Sequence, residues 1–130
     1  IGGKDPDCRR AFSWDTSRWN SNLRDWVKQL IRLRKQLAVL RRGSFRRVCL
    51  SVPEACYAFA RLTPEQQVLV AMNASTVQRQ FCIPTELIPW YDGMKVFDLL
   101  QPGVEYHIEN GCFEITLPPW GGAYISNKAV

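Results

Sequence analysis

Apolar side chains recur every three or four residues over positions 22–42 and would form one stripe along a helix. The residues of this stripe are Leu23, Trp26, Val27, Leu30, Leu33, Leu37 and Leu40. The spacing predicts a single long amphipathic helix. Ser21 or Asn22 can cap its start, and Gly43 can close its end in a left-handed conformation.

Downstream of Gly43 the chain changes to short segments rich in Val, Ile, Tyr and Phe, separated by Pro, Gly and Asn. The predicted strands cover residues 45–50, 56–62, 67–73, 77–83, 95–98, 106–109, 112–117 and 123–126. Asn110-Gly111, between two alternating segments, indicates a two-residue hairpin turn. The pattern predicts a mainly β fold, in which one long N-terminal amphipathic helix precedes an antiparallel Greek-key β-sandwich.

The first 21 residues show neither a helical nor a strand period, so we expect a loop with interleaved aromatic residues. The apolar stripe, with Trp26 on it as an expected core residue, must be buried against other apolar groups. One small sandwich would not cover both the stripe and the loop, and a missing preceding domain would explain the excess apolar surface. Without that domain we expect self-association through the exposed helix face.

Composition indicates a globular protein: 46% of the 130 residues are hydrophobic and 22% are charged. No apolar run approaches the roughly 20 residues that span a bilayer, so we expect no membrane segment. The sequence starts without Met and without the apolar region of a signal peptide, which indicates a cut inside a longer chain.

The five cysteines are odd in number, and none lies in a Cys-x-x-Cys pair. The chain also has a single histidine, His107, which lies in a predicted strand. A metal site therefore has little support, and we expect no metal and no cofactor. Five free thiols would fit a reducing compartment, so the expected location is cytoplasmic.

The formal net charge is +5, and nine of the 17 basic residues lie between positions 24 and 47. Arg24, Lys28, Arg32 and Lys35 would share one helix face, as in a helix that follows a phosphate backbone. No nucleic-acid-binding motif accompanies them, and a solvated outer helix has the same pattern. Nucleic acid is therefore a disfavoured partner.

Two stretches resemble the α-amylase family of glycoside hydrolases, in its cyclomaltodextrinase, neopullulanase and maltogenic amylase branch. The first is Gly2-Gly3-Lys4-Asp5-Pro6-Asp7-Cys8-Arg9-Arg10, continuing into Trp26-x-x-x-Leu30-Ile31-x-Leu33-Arg34. The second is Cys56-Tyr57-Ala58-Phe59-Ala60-Arg61 with Val68-Leu69-Val70-Ala71-Met72-Asn73. Asp98-Leu99-Leu100 and Leu117-Pro118-Pro119-Trp120-Gly121-Gly122 are similar to the closing elements of the family's C-terminal domain.

The resemblance implies a parent enzyme with a (β/α)₈ barrel, for which this chain is too short, since a barrel needs about 250 residues. Residues 1–43 would be the last loop and helix of the truncated barrel, and residues 44–130 the C-terminal all-β domain. The parent would hydrolyse α-1,4-glucans, cyclodextrins or pullulan with retention, using an Asp nucleophile and a Glu acid/base. The motifs that carry those residues are absent here, so we expect no catalytic residue and an inactive fragment that covers and stabilises its missing catalytic barrel.

Asp5 and Arg9 match loop positions that the resemblance implies contact the α-glucan substrate in the parent. The alternative is that Asp5, Asp7, Arg9 and Arg10 pair with each other and hold the loop in shape. Among the aromatic residues, Trp14 suits packing under the barrel rim better than contact with a sugar. Trp90-Tyr91 is the best exposed aromatic candidate, although structural packing is favoured there too. A stand-alone carbohydrate-binding β-sandwich remains an alternative for the whole chain.

Overall fold

The computed structural model describes residues 3–6, 8–9 and 11–129. By its contacts the chain divides into two compact units, one up to Ile31 and one from Arg32 onward. The helices are α1 (Ser21–Gln36) and α2 (Val39–Arg42), and a 3₁₀ turn precedes them at Thr16–Arg18. The strands are β1 (Ser44–Ser51), β2 (Cys56–Leu62), β3 (Gln67–Asn73), β4 (Arg79–Pro84), β5 (Lys95–Asp98), β6 (Glu105–His107), β7 (Cys112–Leu117) and β8 (Gly122–Ser126).

The strands form two antiparallel sheets, which confirms the mainly β prediction. Six strands make the larger sheet in the order β1-β2-β3-β8-β5-β6, while β4 and β7 pair separately. All eight predicted strands are present, and four of them (β2, β3, β5 and β7) have the predicted bounds. The Greek-key detail of the prediction stays untested.

The two sheets share one hydrophobic core. The larger sheet contributes four alanines (Ala58, Ala60, Ala71 and Ala123) together with the larger residues Leu69, Val96 and Ile125. The two-stranded sheet contributes Ile83, Phe113, Ile115 and Leu117. Small residues among large ones allow the two sheets to pack closely.

The larger sheet has a second covered face, and strand β3 lies at its centre. Leu69 and Ala71 point into the core between the sheets, whereas Val68 and Val70 belong to a second apolar cluster. That second cluster also contains Leu33, Leu37, Val39, Leu40 and Leu99. A strand that is buried on both sides reads as a continuous apolar run, as Val68–Ala71 does here.

The prediction of one helix over residues 22–42 is wrong at its C-terminal end. Helix α1 ends at Gln36, and α2 is a separate short helix. Two arginines satisfy carbonyl groups at the break. The guanidinium of Arg34 donates to the Leu40 carbonyl at 2.8 Å, and that of Arg41 donates to the carbonyls of Arg34 and Lys35. A cation at the C-terminus of α1 also complements the helix dipole.

The cap at the start of α1 is Asn20, not Ser21 or Asn22 as predicted. Its side-chain Oδ1 accepts the backbone N–H of Leu23 at 3.0 Å, and its carbonyl accepts that of Arg24. An amide oxygen in this position satisfies an N–H group that has no partner within the helix.

Gly43 follows α2 in an extended conformation, with φ −61° and ψ 151°, so the predicted left-handed closure is wrong. A glycine is needed there for a different reason. A Cβ atom at position 43 would lie 2.6 Å from the Val39 carbonyl oxygen and 3.0 Å from backbone atoms of Leu62. The chain therefore leaves α2 in direct contact with strand β2, and only a hydrogen fits between them.

The turn predicted at Asn110-Gly111 is confirmed. Both residues have positive φ angles, 53° and 66°, as a tight hairpin turn of this kind requires. Glu109 and Cys112 flank them and exchange two backbone hydrogen bonds of 3.1 and 2.9 Å. Asn and Gly are the residues that adopt this conformation at least cost.

Two of the five cysteines are joined, so the expectation of five free thiols is wrong. A disulfide links Cys82 on β4 to Cys112 on β7, with their Cα atoms 5.8 Å apart. Cys8, Cys49 and Cys56 are free. The sequence spacing did not reveal the pair, because only the register of β4 on β7 brings residues 30 positions apart into contact. Because two of the five cysteines are joined, the thiols no longer support the expected cytoplasmic location.

We predict that Gly43→Ala destabilises the chain by about 2 kcal/mol, the usual cost of forcing extra atoms into a packed site. Gly103→Ala is the control, because no atom lies within 4 Å of its added Cβ and its cost comes only from a positive φ of 89°. Urea unfolding of both variants measures the difference. Equal or smaller loss for Gly43→Ala than for Gly103→Ala would contradict the close approach.

A count of free thiols tests the disulfide. The unfolded chain should show three reactive thiols without reductant and five after reduction, in an assay with a thiol-specific chromophore. Cys82→Ser with Cys112→Ser should lower the free energy of unfolding by about 3 kcal/mol, because the bond closes a long loop in the unfolded chain. Five reactive thiols before reduction would refute the bond.

Candidate functional site

The loop before helix α1 brings the two predicted site residues together. Arg9 and Asp5 form a two-pronged ion pair, with Nε 2.6 Å from Oδ1 and Nη2 3.1 Å from Oδ2. Backbone hydrogen bonds from Cys8 to Lys4 and from Arg9 to Pro6 close the turn between them. The alternative that loop residues pair with each other is thus realised for Asp5 and Arg9, while Asp7 and Arg10 lie outside the described residues.

This ion pair is open to solvent on both sides. The side chains of Arg9 and Asp5 are 77% and 60% exposed. An exposed pair contributes little to stability, at most about 1 kcal/mol, because water screens both charges. Most of the surface of the guanidinium and of the carboxylate is therefore available for other partners.

An aromatic cluster follows the ion pair along the loop. The Phe12 ring packs edge-on against Trp14 at 5.0 Å between centroids and lies 5.6 Å from Trp19. The Trp19 indole N–H donates to the Ser13 carbonyl at 2.7 Å, and the Arg24 guanidinium lies over the Trp19 ring. Trp19 thus ties the loop to the start of α1.

Asp15 fixes the short 3₁₀ turn between Trp14 and Trp19. Its carboxylate accepts the hydroxyl of Ser17 at 2.7 Å and the backbone N–H of the same residue at 3.0 Å. These two hydrogen bonds lower the pKa of Asp15 below its usual value. Because both contacts with Ser17 occupy the carboxylate, Asp15 is a poor candidate for a general acid.

A groove of about 470 Å³ runs along the first turns of α1 within the first unit. It is lined by Phe12, Trp19, Asn20, Leu23, Arg24, Val27 and Lys28. Most of the groove is lined by apolar side chains, and the charged residues Arg24 and Lys28 also line it.

The first unit leaves much of its apolar surface exposed. The residues concerned are Phe12, Trp14, Leu23, Trp26, Val27 and Ile31. Trp14 is 83% exposed, and Trp26, the expected core residue of the stripe, is 40% exposed, as expected for a stripe that lacks a preceding domain. Large contiguous apolar patches are rare on proteins that stand alone, and they mark surfaces that another group covers.

Several basic residues of the predicted cluster have local partners. Arg24 lies over Trp19, and Lys28 is 3.8 Å from Asp25. Arg34 and Arg41 bind main-chain carbonyls at the end of α1. These contacts give the positive charges structural roles, and the weak prediction on nucleic acid stays untested.

Cys49 and Cys56 are free thiols whose pKa values are raised. Burial raises the pKa of Cys49, and the Glu54 carboxylate raises it further. Burial and Glu54 also raise the pKa of Cys56, against an opposing effect of Arg79. Both groups are thiols rather than thiolates at neutral pH, and thiols are weak nucleophiles.

Within residues 3–6, 8–9 and 11–129, no cluster of His, Cys, Asp and Glu could hold a metal ion. His107 lies in strand β6, on an exposed position opposite Lys95. Over the same residues, no helix is both long and apolar enough to cross a membrane.

The two neighbouring aromatic residues Trp90 and Tyr91 differ in their exposure to solvent. Trp90 is buried in the core and packs edge-on against Phe113, which confirms structural packing at that position. Tyr91 is exposed. The sequence missed a third aromatic residue, Trp120, which is 70% exposed and has a positive φ of 56°. In the sequence, an exposed turn at Trp120 is indicated by its position two residues before strand β8 and next to Gly121.

Comparison with known proteins gives relatives of one enzyme class. Neopullulanase 2 of Thermoactinomyces vulgaris is 34% identical over 126 residues, which cover 97% of this chain and 21% of the relative. Cyclomaltodextrinase of Geobacillus thermopakistaniensis (strain MAS1) is 31% identical over 120 residues, 92% of this chain and 20% of the relative. The chain therefore spans about a fifth of the length of these curated relatives. No family model matches it.

Solved structures show the same fold. The α-amylase from Geobacillus thermoleovorans, complexed with acarbose, superposes with a TM-score of 0.80 at 19% identity, over 96% of this chain and 26% of that one. An Anoxybacillus α-amylase superposes with a TM-score of 0.79 at 26% identity, over the same two shares.

The fold and these relatives define a β-rich domain of the kind that glycoside hydrolases carry. Relatives named neopullulanase and cyclomaltodextrinase match this chain over 97% and 92% of its length, which confirms the resemblance to the α-amylase family seen in the sequence. Its relatives are α-glucan hydrolases, so a stand-alone binding module is not favoured.

Proposed function

We propose that this chain is the C-terminal portion of a retaining α-glucan hydrolase. In this proposal residues 1–43 supply the last loop and helix of the catalytic (β/α)₈ barrel, and residues 44–130 form the C-terminal β-domain. Support comes from relatives named neopullulanase and cyclomaltodextrinase, of which the chain matches about a fifth. The parent would act on α-1,4-glucans, cyclodextrins or pullulan.

The observation that carries the proposal is the contrast between the two units. In the second unit large residues such as Phe113 and Ile125 are fully buried. In the first unit Phe12, Trp14 and Leu23 are more than half exposed. Apolar area of this kind stabilises a protein only when it is removed from water, at about 25 cal/mol per Å². A neighbouring barrel would cover it.

The catalytic carboxyl groups of the proposed parent would lie on earlier barrel strands. Retention requires two of them about 5–5.5 Å apart, one acting as nucleophile and the other as acid and then base. The role of the present chain is to cover the barrel, to stabilise it and to shape one side of its cleft.

Asp5 and Arg9 are the residues that we propose for that cleft. Their mutual pairing leaves capacity for a sugar, because a guanidinium has five N–H donors and the pairing with Asp5 engages Nε and Nη2 of Arg9. Oδ2 of Asp5 accepts from Arg9 Nη2 and keeps a further lone pair, whereas Oδ1 lies 2.6 Å from Arg9 Nε and also accepts from the Cys8 thiol at 3.9 Å. Vicinal hydroxyls of a glucose ring can donate to the carboxylate and accept from the guanidinium.

Reading the gene upstream of the codon for Ile1 tests the proposal directly. We expect several hundred codons that encode barrel strands with the Asp nucleophile and the Glu acid/base. An upstream region that encodes no barrel would refute the proposal.

We predict that the 130-residue chain alone releases no reducing sugar from maltooligosaccharides, cyclodextrin or pullulan. It lacks the paired carboxyl groups that the retaining mechanism needs. A reducing-sugar assay measures this, with a full-length cyclomaltodextrinase as the positive control. Release above the rate without protein, retained after purification to homogeneity, would contradict the prediction.

We also predict that the isolated chain self-associates through the exposed side chains of α1, as a substitute for the missing neighbour. Sedimentation velocity from micromolar to millimolar concentration should show a shift from monomer to larger species. Val27→Glu should reduce the association at least about tenfold, because it places a charge in the apolar contact. Asn22→Glu adds the same charge at a polar position of the same helix and should leave it unchanged. A monomer at all concentrations would refute this prediction.

A further inference from the structure

Trp120 occupies a backbone conformation that a bulky side chain rarely adopts. Its φ of 56° lies in the left-handed region, where the Cβ atom crowds the following carbonyl and costs free energy. Such strain persists only where the surrounding structure fixes it, and it is often found at functional sites.

The strain at Trp120 does not serve packing. Its side chain is 70% exposed, in contrast with Trp90, which is 5% exposed. A buried tryptophan would offset the strain by removing a large apolar area from water, and Trp120 gains little of this. This conformation places the indole ring on the surface at one end of the sandwich.

Backbone hydrogen bonds fix the turn that carries Trp120. The backbone N–H of Trp120 donates to the Ser75 carbonyl at 3.2 Å, and that of Gly121 donates to the Pro118 carbonyl at 3.0 Å. Gly121 is required in this turn, because a Cβ there would lie 2.7 Å from the Pro118 ring.

Asn73, which is 2% exposed, makes hydrogen bonds that hold the loop carrying Trp120. Its amide nitrogen is 2.9 Å from the carbonyls of Val77 and Pro118, and its carbonyl oxygen accepts from the backbone and hydroxyl of Ser75. Its backbone N–H donates to Gly121 at 2.8 Å. The backbone that carries Trp120 is therefore held by several hydrogen bonds, so the turn itself loses little conformational entropy when a ligand binds.

We propose that Trp120 is a stacking platform for an α-1,4-linked glucan, at a site separate from the Asp5 and Arg9 loop. The C–H face of a glucose ring is apolar and matches the flat face of an indole, while its hydroxyls remain available to water and to neighbouring polar groups. Thr76, an exposed hydroxyl residue, directly follows Ser75, whose carbonyl accepts the backbone N–H of Trp120. The choice of an α-glucan rests on the proposed function, since relatives are named for enzymes that act on such polymers.

A single platform binds weakly, so the expected dissociation constant for maltoheptaose is on the order of millimolar. The test is a titration of the full 130-residue chain with maltoheptaose, followed by the NMR signals of the tryptophan indole N–H groups. The signal that disappears in Trp120→Gly identifies residue 120. We expect this signal to shift and saturate with maltoheptaose and to remain unshifted with cellohexaose, whose β-linked chain has a different curvature.

Two variants separate binding from folding. Trp120→Gly removes the ring and suits the positive φ, so its melting temperature should not fall while binding weakens at least about tenfold. Tyr91→Ala is the matched control, because Tyr91 is also an exposed aromatic residue, 69% exposed. Tyr91 lies near the turn before strand β7, whereas Trp120 follows the other end of that strand. It should bind as the unchanged chain does.

An unshifted Trp120 signal up to 50 mM maltoheptaose (about tenfold above the expected range) would overturn the proposal. Equal binding by Trp120→Gly, or an equal response to cellohexaose, would overturn it as well. These outcomes are distinct from failure of the proposed function, which is decided by the upstream gene sequence and not by binding to this chain.

Discussion

Strand β3 is the element on which the second unit depends, because both of its faces must be covered at once. Val68 and Val70 point to one side, and Leu69 and Ala71 to the other. The two-stranded sheet covers only one of these faces. The other face needs a second layer, which Leu33 and the residues around α2 supply. Covering β3 therefore makes the end of the helical region part of the β-domain's own core.

Much of this fold could be predicted from the sequence, because strand signals are local. The segment that forms β2 carries the aromatic residues Tyr57 and Phe59, the segment that forms β3 carries the β-branched Val68 and Val70, and turn residues bound both segments. The break in the helix could not be predicted in the same way. Leu33, Leu37 and Leu40 keep the spacing of three and four residues through the break, so their periodicity matches a continuous helix.

The features that the sequence did not reveal all depend on contacts between distant segments. The role of Gly43 depends on Leu62 in β2, and the disulfide of Cys82 depends on the register of β7. At the candidate site, residue types alone left two possibilities open for Asp5 and Arg9. The structure shows that they pair, and the pairing is compatible with the sugar contact that the resemblance implied.

The alanines in the core between the two sheets have a consequence for how this domain can change. Ala58 and Ala71 carry only a methyl group, so almost any substitution there adds volume. A larger residue at either position would push the sheets apart, since a close-packed interior has no spare volume. Such a change has to be matched by a smaller residue elsewhere in the same core, for example at Leu69 or Ile125 of the six-stranded sheet or at Phe113 of the two-stranded sheet. Volume can therefore move from one sheet to the other, while its sum is set by the spacing of the sheets.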